Sequence, residues 1–413
     1  MQQPSDRIEE LVKFTLLSHV NQTLEFDLGL SKDFCTNLLR DDPDDTVFFP
    51  ASDIGSFDGV PNYPLFKRLA SALYQSLLSR SFLKTYDDIE FLRKDLSLQM
   101  KEEQWQTLIL EKGTQIMDML KTIFYELHVQ EPFFSLLKDG LKTVEGRCAG
   151  GKHSRIEPGD RVLLNKCMVV EVKDVHRYPS FLEMLEAESL PEVLPGVKTI
   201  EEGVKIYRQF YTEEREMSNG VIAICVSKVS PQPYLHTANI LSHIHDIYVI
   251  IFPSNTIVNE TEYPCVLTQG LGYGGVQSLL GLAHTSGTVF DALQPPRSAL
   301  LSSFTLTYNP KVKGSVLTHG ARALAKHAER SGNKYWGILS GNDDSKNRLA
   351  MNVINCLIVS CRWSNVHIVP PHGAVYEIRT TDGYGARWSS DGTKFIGFLE
   401  PYMEDGFSKG WKH

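Results

Sequence analysis

The feature that most constrains the fold is a cluster of short β-branched segments between residues 123 and 229, placed between two long stretches with helical periodicity. Gly, Pro and Asp turn residues separate these segments, whose sequences are IFYELHVQ, LKTVEGR, RVLLN, KCMVVEVKDVHRY and GVIAICVSKV. β-Branched residues between turn formers favour strands. The pattern predicts a small, mostly β barrel that is interrupted by an acidic helical insert from about residue 180 to residue 216.

The flanking stretches predict helical and mixed structure. Apolar residues near the N-terminus recur at three- and four-residue steps, which is typical of amphipathic helices. Toward the C-terminus, helical segments precede a Gly-punctuated β meander in which Asp391-Gly392 predicts a hairpin. We therefore expect an α+β protein with four parts: a helical N-terminal region (1–122), the barrel (123–229), a linker (230–270) and an α+β C-terminal domain (271–413).

Composition limits the classes of function. The chain has 413 residues and a formal net charge of −8, which argues against non-specific binding of nucleic acid over its whole surface. Its seven scattered cysteines predict reduced, mostly buried thiols in an intracellular protein. The N-terminus carries acids where a secretory signal carries positive charge, and no apolar run approaches the ~20 residues that cross a bilayer. We expect a cytoplasmic or nuclear protein that is not secreted and has no membrane partner.

The segment GLKTVEGR at residues 140–147 is the most informative one for function. A helix end delivers a lysine, an acid and an arginine to the start of a strand, and the two-residue period of a strand places Glu145 and Arg147 on one face. The planar guanidinium group of an arginine suits phosphate or carboxylate. The alternative is a surface salt bridge at a strand edge, and the residues alone leave both interpretations open.

A local excess of positive charge follows this motif. From residue 142 to residue 177 there are eight Lys and Arg against five Asp and Glu, and the loop CAGGKHSRI at 148–156 contains no acid. Phosphate contacts from such a loop give salt-dependent, largely sequence-independent affinity. The alternative is an ordinary solvated loop. The candidate nucleic-acid-binding residues are Lys142, Glu145, Arg147, Lys152, His153, Arg155, Arg177 and Tyr178. Tyr178 and Phe181 either offer a stacking face to an unpaired base or belong to the barrel core.

These residues together resemble a known family. The pattern is similar to the ASCH domain, a branch of the PUA-like barrels, at Gly140, Lys142, Glu145, Arg147, the turn Pro158-Gly159-Asp160, and the strand residues Val170, Val172, Val175 and Tyr178. The resemblance covers about residues 123–229, and the helical arm before it is similar to plant proteins described as RNA-binding ASCH proteins. It implies a barrel with a cleft under the lysine-bearing helix, which relatives use to hold RNA or a modified nucleoside. RNA is therefore the expected partner.

The resemblance leaves an enzyme as an alternative. Some small bacterial ASCH proteins are amidohydrolases acting on acetylated cytidine, with the same lysine, a threonine nucleophile three positions later and a glutamate in the insert. Lys142 matches the lysine, but Glu145 occupies the nucleophile position. A carboxylate does not replace an activated alkoxide, although it can act as a general base toward water. We expect RNA binding and little or no hydrolysis of N4-acetylcytidine. A further alternative is a scaffold that binds proteins through its N-terminal helices and C-terminal domain.

The sequence predicts no cofactor and no metal site. Histidines and acids are numerous near the C-terminus, among them His367, Glu377 and Glu400, but their spacing matches no known ligand pattern and we expect them to be solvated. Residues 243–270 contain the very apolar run IYVIIF, and we expect this segment to be an insertion outside the packed domains. The sequence indicates no activity for residues 271–413.

Overall fold

A computed structural model describes residues 3–45, 58–82, 96–151, 153–242, 270–285, 287–330 and 335–401. The chain divides into two compact units. The first comprises Met1–Thr15 and Glu111–Asn239, and the second comprises Leu16–Leu110 and Ile240–His413. The expected α+β class is confirmed, whereas the four domain limits proposed from the sequence stay predictions.

The N-terminal region is helical, as its periodicity predicts. Its described helices are α1 (Pro4–Val20), α2 (Lys32–Leu39), α3 (Leu65–Ser79) and α4 (Leu96–Lys121). The apolar positions that carry the periodicity are buried, and they include Ile8, Leu11, Val12, Leu16, Trp105 and Ile109. Helix α2 begins after Ser31, whose side chain accepts a hydrogen bond from the Phe34 amide at 3.1 Å. This cap satisfies one of the amides that a helix start leaves without a partner.

The first unit contains a five-stranded sheet. Its elements are β1 (Ile123–Leu127), α5 (Phe133–Lys138), β2 (Val144–Cys148), β3 (Arg161–Leu164), β4 (Met168–Tyr178) and β5 (Val221–Lys228). The strand order is β1-β3-β4-β5-β2, in which β1 pairs with β3 in parallel and the other pairs are antiparallel. All five strands fall on segments that the β-branched pattern predicts. Strand β2, which carries Glu145 and Arg147, lies at an edge of this sheet.

The predicted acidic insert is a run of four short helices between β4 and β5. They are α6 (Phe181–Ala187), α7 (Leu190–Val193), α8 (Ile200–Arg208) and α9 (Glu213–Asn219). Ser180, Thr199 and Thr212 each cap a helix start by accepting a backbone hydrogen bond from the residue three positions later. The apolar faces of α6 and α8 pack on β2 and β5 around Phe181, Met184 and Tyr207. The insert is therefore part of the domain core.

The second unit joins helices to a β meander. Its later elements are α11 (Gly272–Leu279), α12 (Arg297–Thr305), α13 (His319–Arg330), α14 (Asp343–Val359), β6 (Trp363–Val369), β7 (Gly373–Arg379), β8 (Gly385–Ser389) and β9 (Phe395–Leu399). The four strands form an antiparallel sheet in the order β6-β7-β8-β9. The predicted Asp391-Gly392 hairpin is confirmed: Gly392 has a φ of +76°, and Asp391 accepts a hydrogen bond from the Thr393 amide at 3.1 Å. One face of the sheet packs on the helices through Tyr376, Ile378 and Trp388.

Two further segments bear on the sequence expectations. Residues 233–241, inside the expected linker, form helix α10 (Pro233–Leu241), because Tyr234, Ala238 and Leu241 are apolar positions that become buried. The expected insertion at 243–270 lies outside the described residues except for Gly270.

The six described cysteines are free thiols and four of them are buried, as expected.

Candidate functional site

Lys142 lies between α5 and β2, where the chain reverses direction. Helix α5 is followed by Gly140 with a φ of +75°, a conformation that glycine adopts without steric cost. This turn directs Lys142 inward, and the residue is only 2% exposed. Its ammonium group donates to the carbonyl oxygens of Val144 and Val193 and lies 3.3 Å from Glu145 Oε2. Burial lowers the pKa of Lys142, and the Glu145 carboxylate opposes that shift.

Glu145 joins Lys142 to Arg147. Arg147 Nε donates to Glu145 Oε1 at 2.8 Å, and Arg147 Nη2 donates to the carbonyl oxygen of His128. The expected placement of Glu145 and Arg147 on one face of β2 is confirmed. The pair is not the surface salt bridge that the sequence left open as an alternative, because the Arg147 and Glu145 side chains are only 13% and 10% exposed. Burial alone would lower the pKa of Arg147, but the Glu145 charge holds it above its ordinary value.

Gly146 allows the insert to approach β2 closely. A Cβ atom at this position would lie 2.4 Å from Tyr207 Oη and 2.7 Å from Met184 Cε. Tyr207 stacks on Phe181 with ring centroids 4.2 Å apart, and both rings are buried. Phe181 therefore belongs to the core. The glycine between Glu145 and Arg147 thus has a packing role, because α8 covers this part of the strand.

A partly open rim adjoins Arg147. Tyr211 is half-buried and forms a side-chain hydrogen bond with Arg147, and Arg215 lies over the Tyr211 ring at 5.6 Å. Burial lowers the pKa of His153, and the positive charges of Arg147 and Arg215 lower it further. Two arginines, a histidine and an aromatic ring therefore share one small region.

The turn at His153–Arg155 brings two more arginines together. Arg155 and Arg177 are exposed, and Arg177 Nη2 donates to the carbonyl oxygen of Ser154 at 2.7 Å. Lys152, in the same loop, is outside the described residues. Tyr178 lies elsewhere and donates its hydroxyl to Glu188 Oε1 at 2.8 Å. Six of the seven described candidate residues thus lie on β2, just before it, in the loop that follows it, or on the neighbouring end of β4, whereas Tyr178 faces Glu188.

Sequence reasoning missed Tyr207, Tyr211 and Arg215. Tyr207 lies on α8, Arg215 lies on α9, and Tyr211 lies in the short link between the two helices, so no single helical period connects them. The acidic composition of the insert also conceals Arg215, because glutamates dominate the charge around it.

A second charged cluster lies on the meander of the other unit. The register places Asn365, Glu377 and Arg387 directly across three neighbouring strands. Glu377 Oε2 accepts hydrogen bonds from Arg387 Nη2 at 2.6 Å and Nε at 2.9 Å, and it lies 3.2 Å from His367 Nε2. Glu377 Oε1 accepts from Arg379 Nε at 2.6 Å.

The expectation that Glu377 and Glu400 are solvated was wrong. Glu377 is 2% exposed, and burial alone would raise its pKa. The His367 hydrogen bond and the charges of Arg379 and Arg387 instead lower that pKa to about 2. Glu400 accepts hydrogen bonds from Trp336 Nε1 at 2.6 Å and from His327 Nδ1 at 2.9 Å. Sheet pairing and helix packing, which local sequence does not reveal, bury both carboxylates.

The chain matches two known families, and the two matches fall in different compact units. Residues 127–230 match the family described as the ASCH domain, so the chain is an ASCH-domain protein in this region. Residues 307–400, which include β6 to β9 and the Glu377 cluster, match the family described as the CdiA C-terminal tRNase toxin domain. The ASCH assignment confirms the resemblance inferred from the sequence. The likeness of the helical arm to plant proteins stays a prediction.

Two solved structures are similar to part of the chain. One is the crystal structure of hypothetical protein PH0355, with 48% identity, covering 25% of this chain and 98% of its own, and a TM-score of 0.25. The other is the solution structure of protein PF0455 from Pyrococcus furiosus, with 45% identity, 26% and 97% coverage, and a TM-score of 0.24. No curated protein matches the chain. Among the described residues, no helix is both long and apolar enough to cross a membrane.

Proposed function

We propose that the protein binds RNA through its ASCH domain, along a basic rim formed by Arg147, His153, Arg155, Arg177 and Arg215. The observation that carries this proposal is the exposure of Arg155, on a turn whose loop at 148–156 contains no acid, together with the exposed Arg177 of β4, which donates a hydrogen bond to that turn. Phosphate contacts of this kind supply affinity with little dependence on base sequence. A local rim also agrees with the net charge of −8, which disfavours binding over the whole surface.

The buried charges under the rim have a positioning role in this proposal. Lys142 donates to two carbonyl oxygens and contacts Glu145, so its hydrogen-bonding groups are directed into the protein. Glu145 in turn holds Arg147 beside Tyr211. The half-buried Tyr211 ring offers a stacking surface for an unpaired base. Lys152 and Tyr178 remain proposed RNA contacts, Lys152 through the basic loop and Tyr178 through its ring.

Replacing the exposed arginines should weaken RNA binding in a salt-dependent way. Arg155→Ala and Arg177→Ala each remove one phosphate contact, so the slope of log affinity against log salt should fall by about 0.7 per arginine on single-stranded RNA. The loss should be similar for RNAs of different sequence, because phosphate contacts do not read bases. Fluorescence anisotropy of the full chain with labelled single-stranded RNA over a salt series measures both quantities.

Lys198→Ala is the matched control, since Lys198 is an exposed cation of the same unit outside the rim. It should leave the salt slope unchanged. If the double arginine variant keeps the wild-type affinity and slope, the rim does not hold RNA.

The buried motif supports the expectation that N4-acetylcytidine is hydrolysed little or not at all. The Glu145 carboxylate contacts both Lys142 and Arg147, so both of its oxygens already have polar partners. A general base must reach the water that it activates. We therefore assign Glu145 the role of positioning Arg147 for RNA binding, and we keep amidohydrolysis as the alternative activity of the ASCH domain.

We also propose RNA cleavage as the activity of the second unit. Two features favour it: the match of residues 307–400 to a tRNase toxin domain, and the Glu377 cluster within that range. One carboxylate faces two guanidinium groups and an imidazole, so the cluster carries excess positive charge and suits a phosphodiester. His367 and Arg379 side chains are each 17% exposed, which leaves part of the cluster open to a ligand.

The cluster contains the groups needed for phosphoryl transfer within RNA. His367, which is more exposed than Glu377, takes the proton from a ribose 2′-hydroxyl, the 2′-oxygen attacks phosphorus, and the bond from phosphorus to the 5′-oxygen breaks. The departing 5′-oxygen takes a proton from solvent, and the buried Glu377 orients the His367 ring. Arg379 and Arg387 stabilise the charge that develops on the phosphate. The products are a 2′,3′-cyclic phosphate and a 5′-hydroxyl, and the substrate class is tRNA or a similar folded RNA.

A further inference from the structure

A cluster of different ligand types lies on the sheet face that is covered by the insert. Among the described residues, His176 on β4, Glu188 at the end of α6 and Cys225 on β5 place one potential ligand atom each within 4.8 Å of one another. Asp174 pairs directly with Cys225 across the two strands, and His176 follows two positions later on the same face. The cluster therefore rests on two paired strands and one helix end.

The hydrogen bonds around His176 require a cation. Nε2 of His176 lies 3.2 Å from Asp174 Oδ2, and Nδ1 lies 2.6 Å from Glu188 Oε1. When Nε2–H donates to Asp174, the Nδ1 lone pair faces a carboxylate oxygen. Two lone pairs at this distance repel unless a proton or a metal ion lies between them. A proton fits the 2.6 Å separation as it stands, whereas a tetrahedral ion with bonds of ~2.0 Å to both atoms needs them about 3.3 Å apart, so the two atoms separate when a metal binds.

The surrounding groups match those that support metal ligands. A ligating histidine usually donates its other ring N–H to a carboxylate, and ligating carboxylates accept hydrogen bonds in turn. Asp174 is the carboxylate that lies beside Nε2 of His176. Tyr178 donates the hydrogen bond to the ligating carboxylate, at 2.8 Å from Glu188 Oε1. These partners fix the orientation of both ligands before an ion arrives.

The charged groups around the cluster also favour a cation. Asp174 and Glu188 both contact His176, and Glu192 lies on α7, the short helix that follows Glu188. Carboxylates therefore surround the cluster.

We propose that His176, Glu188 and Cys225 bind a divalent transition-metal ion, with Zn²⁺ as the ion that fits best. The imidazole nitrogen, the thiolate sulfur and one carboxylate oxygen occupy three tetrahedral positions, and water occupies the fourth. On binding, the thiol proton and any proton shared by His176 and Glu188 leave to solvent. Mg²⁺ and Ca²⁺ fit poorly, because they prefer oxygen ligands only. The site stands independently of RNA binding and RNA cleavage.

Access from solvent is sufficient for an ion to enter. The His176 and Asp174 side chains are 43% and 60% exposed, whereas Glu188 is 12% exposed. An open fourth position next to solvent is typical of a zinc site that accepts an exogenous ligand, whereas structural zinc sites are closed by four protein ligands.

Cobalt and zinc titrations of the chelator-treated full chain test the proposal. Co²⁺ should give the visible bands of a tetrahedral complex together with a thiolate-to-cobalt charge-transfer band, and isothermal titration calorimetry should show Zn²⁺ bound at this site. Cys225→Ser should abolish the charge-transfer band and weaken Zn²⁺ binding. His176→Gln should also weaken binding, and Asp174→Asn should weaken it by about 10- to 100-fold through loss of the supporting hydrogen bond.

Cys356→Ser is the control, since Cys356 is an exposed free cysteine of the second unit. This control should keep the charge-transfer band and the Zn²⁺ affinity. Thermal unfolding of the metal-free variants shows whether they fold. His176→Gln should disturb packing little, because the His176 side chain is partly exposed. The absence of a thiolate band in the wild type would overturn the proposal and assign a proton to the gap between His176 and Glu188. An unchanged band in Cys225→Ser would overturn it as well.

Discussion

Glu377→Gln is expected to lower the free energy of unfolding by about 3–5 kcal/mol, because it leaves buried guanidinium groups without their anion. Arg387 is 8% exposed, and Glu377 accepts both of its hydrogen bonds. Chemical denaturation of the full chain, followed by the fluorescence of Trp363 and Trp388 in the same sheet, measures the change. Glu329→Gln is the matched control, because Glu329 is exposed on α13, and it should shift stability by less than about 0.5 kcal/mol.

The same carboxylate predicts an acid transition. The pKa of Glu377 is lowered from 4.5 to about 2, so the folded state binds the proton less readily than the unfolded chain. Its stabilising contribution is complete above about pH 4.5 and is lost as the pH falls toward 2. Wild-type stability should therefore decline across this window more steeply than that of Glu377→Gln. If the wild type and Glu377→Gln have equal stability and equal pH dependence, the ion pair between Glu377 and Arg387 does not stabilise the fold.

His367→Gln is expected to reduce RNA cleavage by about 10²- to 10⁴-fold, the range typical for loss of a general base. The glutamine amide can still donate to Glu377, so the fold should be retained. The assay follows labelled tRNA with the full chain in the presence of a chelator, and it identifies 2′,3′-cyclic phosphate ends. His372→Gln is the control, since His372 is an exposed histidine beyond the end of β6. Wild-type rates in His367→Gln would remove His367 from the reaction, and the absence of any cleavage by the wild type would withdraw the proposed activity.

The local parts of the ASCH domain could be predicted from sequence. The β-branched segments became β1 to β5, the acidic stretch became α6 to α9, and Gly140 adopted the expected turn. These features depend on neighbouring residues, whose period and turn chemistry are visible in the chain. The pairing of Glu145 with Arg147 was also predictable, because alternation along a strand places both on one face.

Burial of the motif could not be predicted in the same way. Lys142 is buried because its ammonium group meets the carbonyl oxygen of Val193, a residue of the insert far along the sequence. The Glu377 cluster depends on the register of three strands, and the ligands of the proposed zinc site come from β4, α6 and β5. Such clusters follow from tertiary packing, which no spacing rule in a single sequence contains.

The most direct test of RNA binding by the ASCH domain is ultraviolet cross-linking of the full chain to labelled single-stranded RNA, followed by mass spectrometry of the linked peptides. The account predicts cross-links in the basic loop at 148–156 and at Tyr211, the aromatic residue of the rim. The Arg155→Ala, Arg177→Ala double variant should show fewer of them. Cross-links confined to peptides outside residues 127–230 would contradict the account and place the RNA on another part of the chain.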